Sequence, residues 1–148
     1  MAFGEALSPV FKTYAAQILK NAKAMEAVFK AKNIRLLGGG TDNHLLLADV
    51  YGSLGVTGQE AETVLDEVGI TLNKNMIADE PRTAMDPSGI RFGTPAMTTR
   101  LMKEKEATRL AEIMIETMLA HKDESKKQEL KEEVVSICEA FPVPEKFV

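Results

Sequence analysis

The sequence predicts an α+β domain, a small and mainly antiparallel sheet with flanking helices. Three observations carry that expectation. The 148 residues are about one domain's length. Long helical periodicities occupy both ends of the chain. Between them lie short apolar pieces set off by glycine and proline. A chain of this size buries a core without metal or disulfide staples.

Ser8 followed by Pro9 reads as an N-cap with proline at the first helical position, where its missing N–H costs nothing. Phe11, Tyr14, Ile18, Ala22, Met25 and Phe29 then recur in steps of three and four, predicting a helix to about Lys32. Ile34–Leu37 reads as a strand ending in a turn at Gly38-Gly39-Gly40, and His44–Val50 reads as a second strand. The short glycine-rich link makes the two antiparallel neighbours. Thr57-Gly58-Gln59-Glu60 is a capping box opening a helix that buries Ala61, Val64, Leu65 and Val68 and stops at Gly69. Ile70–Leu72 reads as a short extended piece. From 73 to 88 no period is visible and Pro81 and Pro87 intervene, which predicts a loop, and loops of that length are usually functional or disordered. Ile90–Gly93 is a further extended piece, closed by Thr94-Pro95. Two helices end the chain, one over 103–120 and one carrying Leu130, Val134, Ile137, Cys138 and Phe141, stopped by Pro142 and Pro144.

Composition narrows the function. Hydrophobic residues are 45% and charged residues 27%, too apolar for disorder. The net charge of -4 and the lack of a basic stripe argue against nucleic acid. One cysteine, Cys138, excludes an internal disulfide and fits a reducing compartment. No apolar run reaches membrane-span length, and the N-terminus lacks a signal-peptide pattern, so the expected location is cytoplasmic, with no membrane partner.

The strongest chemical candidate lies in the region from Asn73 to Arg91. Arg91 sits on a short apolar piece bounded by small residues, where a guanidinium can grip a carboxylate through two parallel hydrogen bonds. A salt bridge to one of the 22 acidic residues is the commoner fate of an arginine, and the residues alone leave both open. Asn73 and Asn75 have the donors and acceptors that recognition of a heteroaromatic ring needs, although loop asparagines more often form local turns. Asp42 and His44 resemble two thirds of a catalytic set, but Cys138 falls on the apolar face of the last helix, where a thiol is a small core group. No metal-ligand spacing exists, so no metal site is expected. Gly38–Gly40 is not a phosphate cradle, because a strand rather than a helix follows it.

Three segments together are more specific than any one: Gly39-Gly40-Thr41-Asp42-Asn43-His44-Leu45, Asn73-Lys74-Asn75, and Ser88-Gly89-Ile90-Arg91-Phe92-Gly93-Thr94-Pro95-Ala96. In this order and spacing they resemble the C-terminal third of the serine hydroxymethyltransferase family. The flanks agree, with Ala2–Leu7, Gly58–Glu62, Thr98-Thr99-Arg100 and Cys138–Pro142 all similar. The resemblance implies a C-terminal small domain of the aspartate-aminotransferase fold type (fold type I), spanning 34–148, with 1–33 as a helix leading in from a large domain. It implies an enzyme that uses pyridoxal phosphate and tetrahydrofolate to interconvert serine and glycine, as a homodimer or higher assembly. Arg91 then matches the arginine that binds the substrate carboxylate, and Asn75 the asparagine lying against the folate pteridine.

The chain also departs from the family pattern. Where relatives carry I-P-x-D-P and then S-P-F, it has Ile77-Ala78-Asp79-Glu80-Pro81 and then Thr83-Ala84-Met85, leaving folate contact by Thr83, Ala84 and Met85 open. The cofactor lysine of the T-H-K-T type motif is expected upstream of Met1. His121-Lys122 does not replace it, because Asp123 follows and no threonines flank it. No catalytic residue is therefore expected in this chain, and the chain alone is expected to be inactive and to bind neither cofactor tightly. The rival expectation is a noncatalytic binding module derived from the family. Another pyridoxal-phosphate enzyme of the same fold type fits less well with T-D-N-H-L and N-K-N.

Overall fold

The computed structural model describes residues 2–144. In chain order its helices and strands are α1 Ala2–Ala6, α2 Pro9–Ala31, β1 Arg35–Leu36, a 3-10 turn over Leu37–Gly39 that ends β1 one residue short of the expected Leu37, β2 Leu45–Asp49, α3 Val50–Leu54, α4 Gly58–Glu67, β3 Asn73–Asn75, β4 Gly89–Gly93, α5 Pro95–Thr99, α6 Glu104–Leu119 and α7 Glu124–Ala140. The strands form one antiparallel sheet in the order β1-β2-β4-β3. The α+β expectation and the antiparallel β1–β2 pair are both met.

Local chemistry sets the helix ends. Ser8 Oγ accepts from Phe11 N at 3.2 Å, and Asp123 caps α7 by accepting from Lys126 N at 3.0 Å. At α4 the capping box closes in both directions, Glu60 N to Thr57 Oγ1 at 3.1 Å and Thr57 N to Glu60 Oε2 at 2.9 Å.

The helices lie on one face of the sheet. Alternation along the strands sends Leu46, Ala48, Ile90 and Phe92 into a core shared with Phe29 of α2, Leu65 of α4 and Met114 of α6. The Phe29 and Phe92 rings meet with centroids 5.1 Å apart. A smaller cluster, Ile113, Leu130 and Val134, joins α6 to α7, and Cys138 packs against it as expected of a core thiol. Both sheet edges have an amide covered by a side chain. Arg35 N donates to Ser53 Oγ at 3.0 Å on β1, and Lys74 N donates to Glu62 Oε1 at 3.0 Å on β3. Such covering blunts edge-to-edge pairing.

The glycine turn between β1 and β2 is built around a buried acid. Gly40 has φ +145°, and a Cβ there would collide with the Glu26 carboxylate. That carboxylate accepts from Thr41 N at 3.0 Å, Lys23 Nζ at 3.0 Å and Lys30 Nζ at 2.6 Å.

Several elements differ from the sequence expectation. The extended piece expected at Ile70–Leu72 is not a strand. Ile70 and Leu72 pack into the core, and the ladder is made by the next three residues, Asn73–Asn75, inside the segment expected to be loop. Val50 starts α3 rather than ending a strand, because Asp49 Oδ1 caps a helical turn by accepting from Gly52 N at 2.8 Å. The segment after Thr94-Pro95 is the short helix α5, with proline at its first turn.

Candidate functional site

The helices leave the opposite face of the sheet open, and β4 places Arg91 there. Ile90 and Phe92 on either side of Arg91 point into the core, so its side chain must point outward, and it is exposed. Arg91 pairs across the ladders with Leu47 on β2 and Asn73 on β3. Asn75, two residues on, shares the face with Asn73 and stands opposite Gly89. The structure thus brings together the arginine and both asparagines singled out in the sequence. Half-buried Leu47 and the 38% exposed Leu45 give the patch an apolar side.

The chain has five arginines, and four are engaged. Arg35 meets Asp49 at 3.4 Å. Arg82 pairs with Asp86 and stacks 4.5 Å above the Tyr51 ring centroid. Arg100 donates to Phe141 O at 2.6 Å and Cys138 O at 2.7 Å, closing the end of α7. Arg109 binds Glu133 through two parallel bonds of 2.7 and 2.8 Å and also reaches Glu112 and Glu116. Its pKa is raised, chiefly by Glu133 and then Glu116. Among the described residues Arg91 alone of the five has neither an ion pair nor a side-chain hydrogen bond. A guanidinium with five free donors on a partly apolar surface is suited to an incoming carboxylate.

The surroundings of β4 hold it in place. Gly89 has no room for a side chain, since a Cβ would lie 2.6 Å from Ile77 Cγ2 and 2.9 Å from Asn75 O. At the other end, Thr94 N donates to His44 O at 3.1 Å and Thr94 Oγ1 donates to Ile18 O at 2.8 Å. Thr98 Oγ1 donates to Thr94 O at 2.7 Å and accepts from Asn21 Nδ2 at 2.8 Å, while Asn21 also donates to Met102 O at 3.0 Å. Asn21 and Thr94 are fully buried, so this network docks the strand end and α5 on α2 at a point where unpaired groups would be costly.

The sequence reading missed Glu80. Its Oε2 accepts from Ile77 N and Ser88 N, both at 3.1 Å, and its Oε1 accepts from Arg82 N at 3.0 Å and Ser88 Oγ at 2.5 Å. Burial pushes the carboxyl's pKa up, but the Ser88 hydroxyl and the amides of Ser88, Ile77 and Arg82 outweigh it and hold the pKa at about 2. The available signal was an acid in a long loop followed eight residues later by serine, which is a weak one.

Asn75 is half-buried, and its side-chain nitrogen donates to Met76 O at 2.6 Å. Thr83, Ala84 and Met85 form an exposed turn at the loop tip, closed by Asp86 N to Thr83 O at 3.2 Å, with Met85 77% exposed. Asp42, His44 and Cys138 share no hydrogen bond, and Asp42 and His44 are exposed. Among the described residues no group of three or more histidine, cysteine, aspartate or glutamate side chains is placed to hold a metal, and no helix is long and apolar enough to cross a membrane.

Comparison with known proteins identifies the family. The family model for serine hydroxymethyltransferase matches residues 1–114. Serine hydroxymethyltransferases from two strains of Francisella tularensis subsp. tularensis and one of subsp. mediasiatica are each 46% identical over 143 residues. The alignments cover 97% of this chain and 34% of each relative, so the chain spans about a third of the length of the relatives it matches. The family's match covers most of the chain, and the chain belongs to the serine hydroxymethyltransferase family.

Proposed function

We propose that this chain supplies the amino-acid carboxylate anchor and part of the folate site of a serine hydroxymethyltransferase. The complete reaction converts serine and tetrahydrofolate to glycine and 5,10-methylenetetrahydrofolate, reversibly, with pyridoxal phosphate as cofactor. Arg91 grips the carboxylate of serine or glycine, and Asn75 lies against the folate ring, with the Thr83–Met85 turn on the folate side. Residues 1–33 lead in from a large domain and 34–148 form the small one. The reading is carried by one observation, the unpartnered Arg91 beside Asn73 and Leu47 on the open face. Holding the carboxylate there fixes one end of the substrate relative to Asn75, and orientation of this kind is a large part of what a two-substrate site contributes.

The residues present do not fit pyridoxal phosphate by themselves. The cofactor needs a lysine to carry it, and no strand position on the open face is a lysine; Lys74 lies on the helix side, 3.1 Å from Glu62. The chain alone therefore binds and orients but does not transfer hydroxymethyl groups. Purified chain incubated with pyridoxal phosphate, serine and tetrahydrofolate is expected to yield no glycine, and tetrahydrofolate-dependent glycine formation would overturn this part. For the anchor, glycine titrated into isotopically labelled chain is expected to shift the Arg91 side-chain resonance. Arg91→Ala is expected to abolish every other glycine-dependent shift, and shifts that survive it would remove the role.

A second reading has its own observation. Phe3 (90% exposed), Leu7 (84%), Val10 and Phe11 leave an apolar stretch uncovered at the start of the chain. Such a patch suits an interaction module or the homodimeric assembly expected of the family. Calorimetry with glycine and folate, beside light scattering, separates the two readings: a module is expected to self-associate or capture a partner and to show no heat of binding for either ligand.

A further inference from the structure

We infer that Glu80 is a positioning residue, fixing the placement of Asn75 relative to Arg91 before any ligand arrives. The segment between β3 and β4 is a long connection whose two roots must meet for Asn75 and Arg91 to face one ligand. Glu80 joins those roots. One carboxylate oxygen takes the amide of Ile77, two residues beyond Asn75, together with the amide of Ser88, three residues before Arg91. The other oxygen takes Arg82 N and the Ser88 hydroxyl. Ser88 passes the constraint onward, since its carbonyl accepts from Val50 N at 3.1 Å and Tyr51 N at 3.0 Å, tying the same point to α3. The loop is thereby divided into a root built around the half-buried Glu80 carboxylate and an exposed tip at Thr83–Met85.

The donor count explains why this position needs a carboxylate. All four partners present hydrogen atoms, and three of them are backbone amides that cannot turn away. A glutamine has one acceptor oxygen, so in either orientation its amide nitrogen faces at least one backbone N–H. Aspartate keeps both acceptors and is shorter by one methylene.

This inference rests on the reading of β3 and β4 as the ligand-holding strands, and its test is chosen to stand apart from ligand binding. The labelled 148-residue chain is compared by nuclear magnetic resonance as wild type, Glu80→Gln, Glu80→Asp and Ser88→Ala. In Glu80→Gln the amides of Ile77, Arg82 and Ser88 are expected to exchange roughly tenfold faster, with α6 protection unchanged. The Asn75 side-chain amide resonance and the cross-strand contacts of the Asn75–Gly89 and Asn73–Arg91 pairs are expected to change with them. Glu80→Asp is expected to restore those signals and Ser88→Ala to move them partway, which a general loss of stability would not do. If the two cross-strand pairs and the Asn75 amide match wild type in both Glu80→Gln and Ser88→Ala, the inference is overturned. If Glu80→Gln does not fold, the Ser88→Ala and Glu80→Asp results decide it alone. Signals that move as expected in a chain that ignores glycine and 5-formyltetrahydrofolate would remove the ligand reading and leave the role of Glu80 standing.

Discussion

Replacing Glu26 with glutamine tests whether the turn before β2 is held by charge. Glu26 is buried on α2 and accepts from Lys30, Lys23 and the Thr41 amide. The Lys30 bond lowers its pKa most, burial opposes this, and Lys23 and the Thr41 amide add to the lowering, for a net fall from 4.5 to about 2. A depression of that size corresponds to about 3 kcal/mol at neutral pH. The side chains of Lys23 and Lys30 are 55% and 50% exposed, so solvent screening brings the expectation to about 1–2 kcal/mol. The sign follows from the depression. The contribution is fully present above pH 4.5, the unfolded value, and is lost as pH falls through the folded value of about 2. Urea denaturation of wild type and Glu26→Gln at a series of pH values reads it out. The variant is expected to be less stable by about 1–2 kcal/mol at pH 7. The gap is expected to hold steady down to about pH 5 and then narrow. A gap that does not change between pH 7 and pH 3, or no gap at pH 7, would refute the reasoning.

Three other substitutions separate holding the fold from holding a ligand. Arg91→Ala is expected to leave urea stability within about 0.5 kcal/mol of wild type while removing the glycine response, because its side chain has no partner to lose. Arg100→Ala, by contrast, strips two carbonyls of their donor at the end of α7 and is expected to cost about 1–3 kcal/mol by the same assay. Thr94→Val keeps the shape but deletes the donor to Ile18 O, and is expected to cost about 1–3 kcal/mol, with faster amide exchange along α5.

What could be read from the sequence follows from how far each signal reaches along the chain. The long helices α2, α4, α6 and α7 were legible because a three-to-four-residue apolar period and local caps specify them within their own residues. β3 was not. Asn73-Lys74-Asn75 has no apolar alternation, and it is a strand because β4 and Glu62 supply partners from other parts of the chain. The apolar residues nearby, Ile70 and Leu72, point to the core from an unpaired segment and drew the strand expectation three residues early. α3 and α5 are five residues each, too short for a period, and exist by virtue of a cap and a proline start. Arg91 was legible as a residue type on an extended piece, but not as an unpaired one, since pairing depends on which acids the fold brings near. Glu80 was illegible for the same reason: its four donors come from three positions spread over residues 77–88.

The open face takes its precision from the buried one. Side chains alternate along β4, so a slip of one residue in its pairing would turn Arg91 into the core and expose Ile90 and Phe92. Burying an unpaired guanidinium and exposing a fully buried isoleucine and a nearly buried phenylalanine are both strongly unfavourable, which fixes the register without any contact to Arg91 itself. Gly89 and Thr94 then pin the two ends of the strand, one by close approach and one by hydrogen bonds. Arg91 can therefore keep its donors free, because its position is set by its neighbours' burial and not by a partner of its own. An acid placed beside it to steady the side chain would occupy the donors a substrate carboxylate needs. The four arginines that do hold acids or carbonyls lie elsewhere, in the loop, at β1 and among the helices.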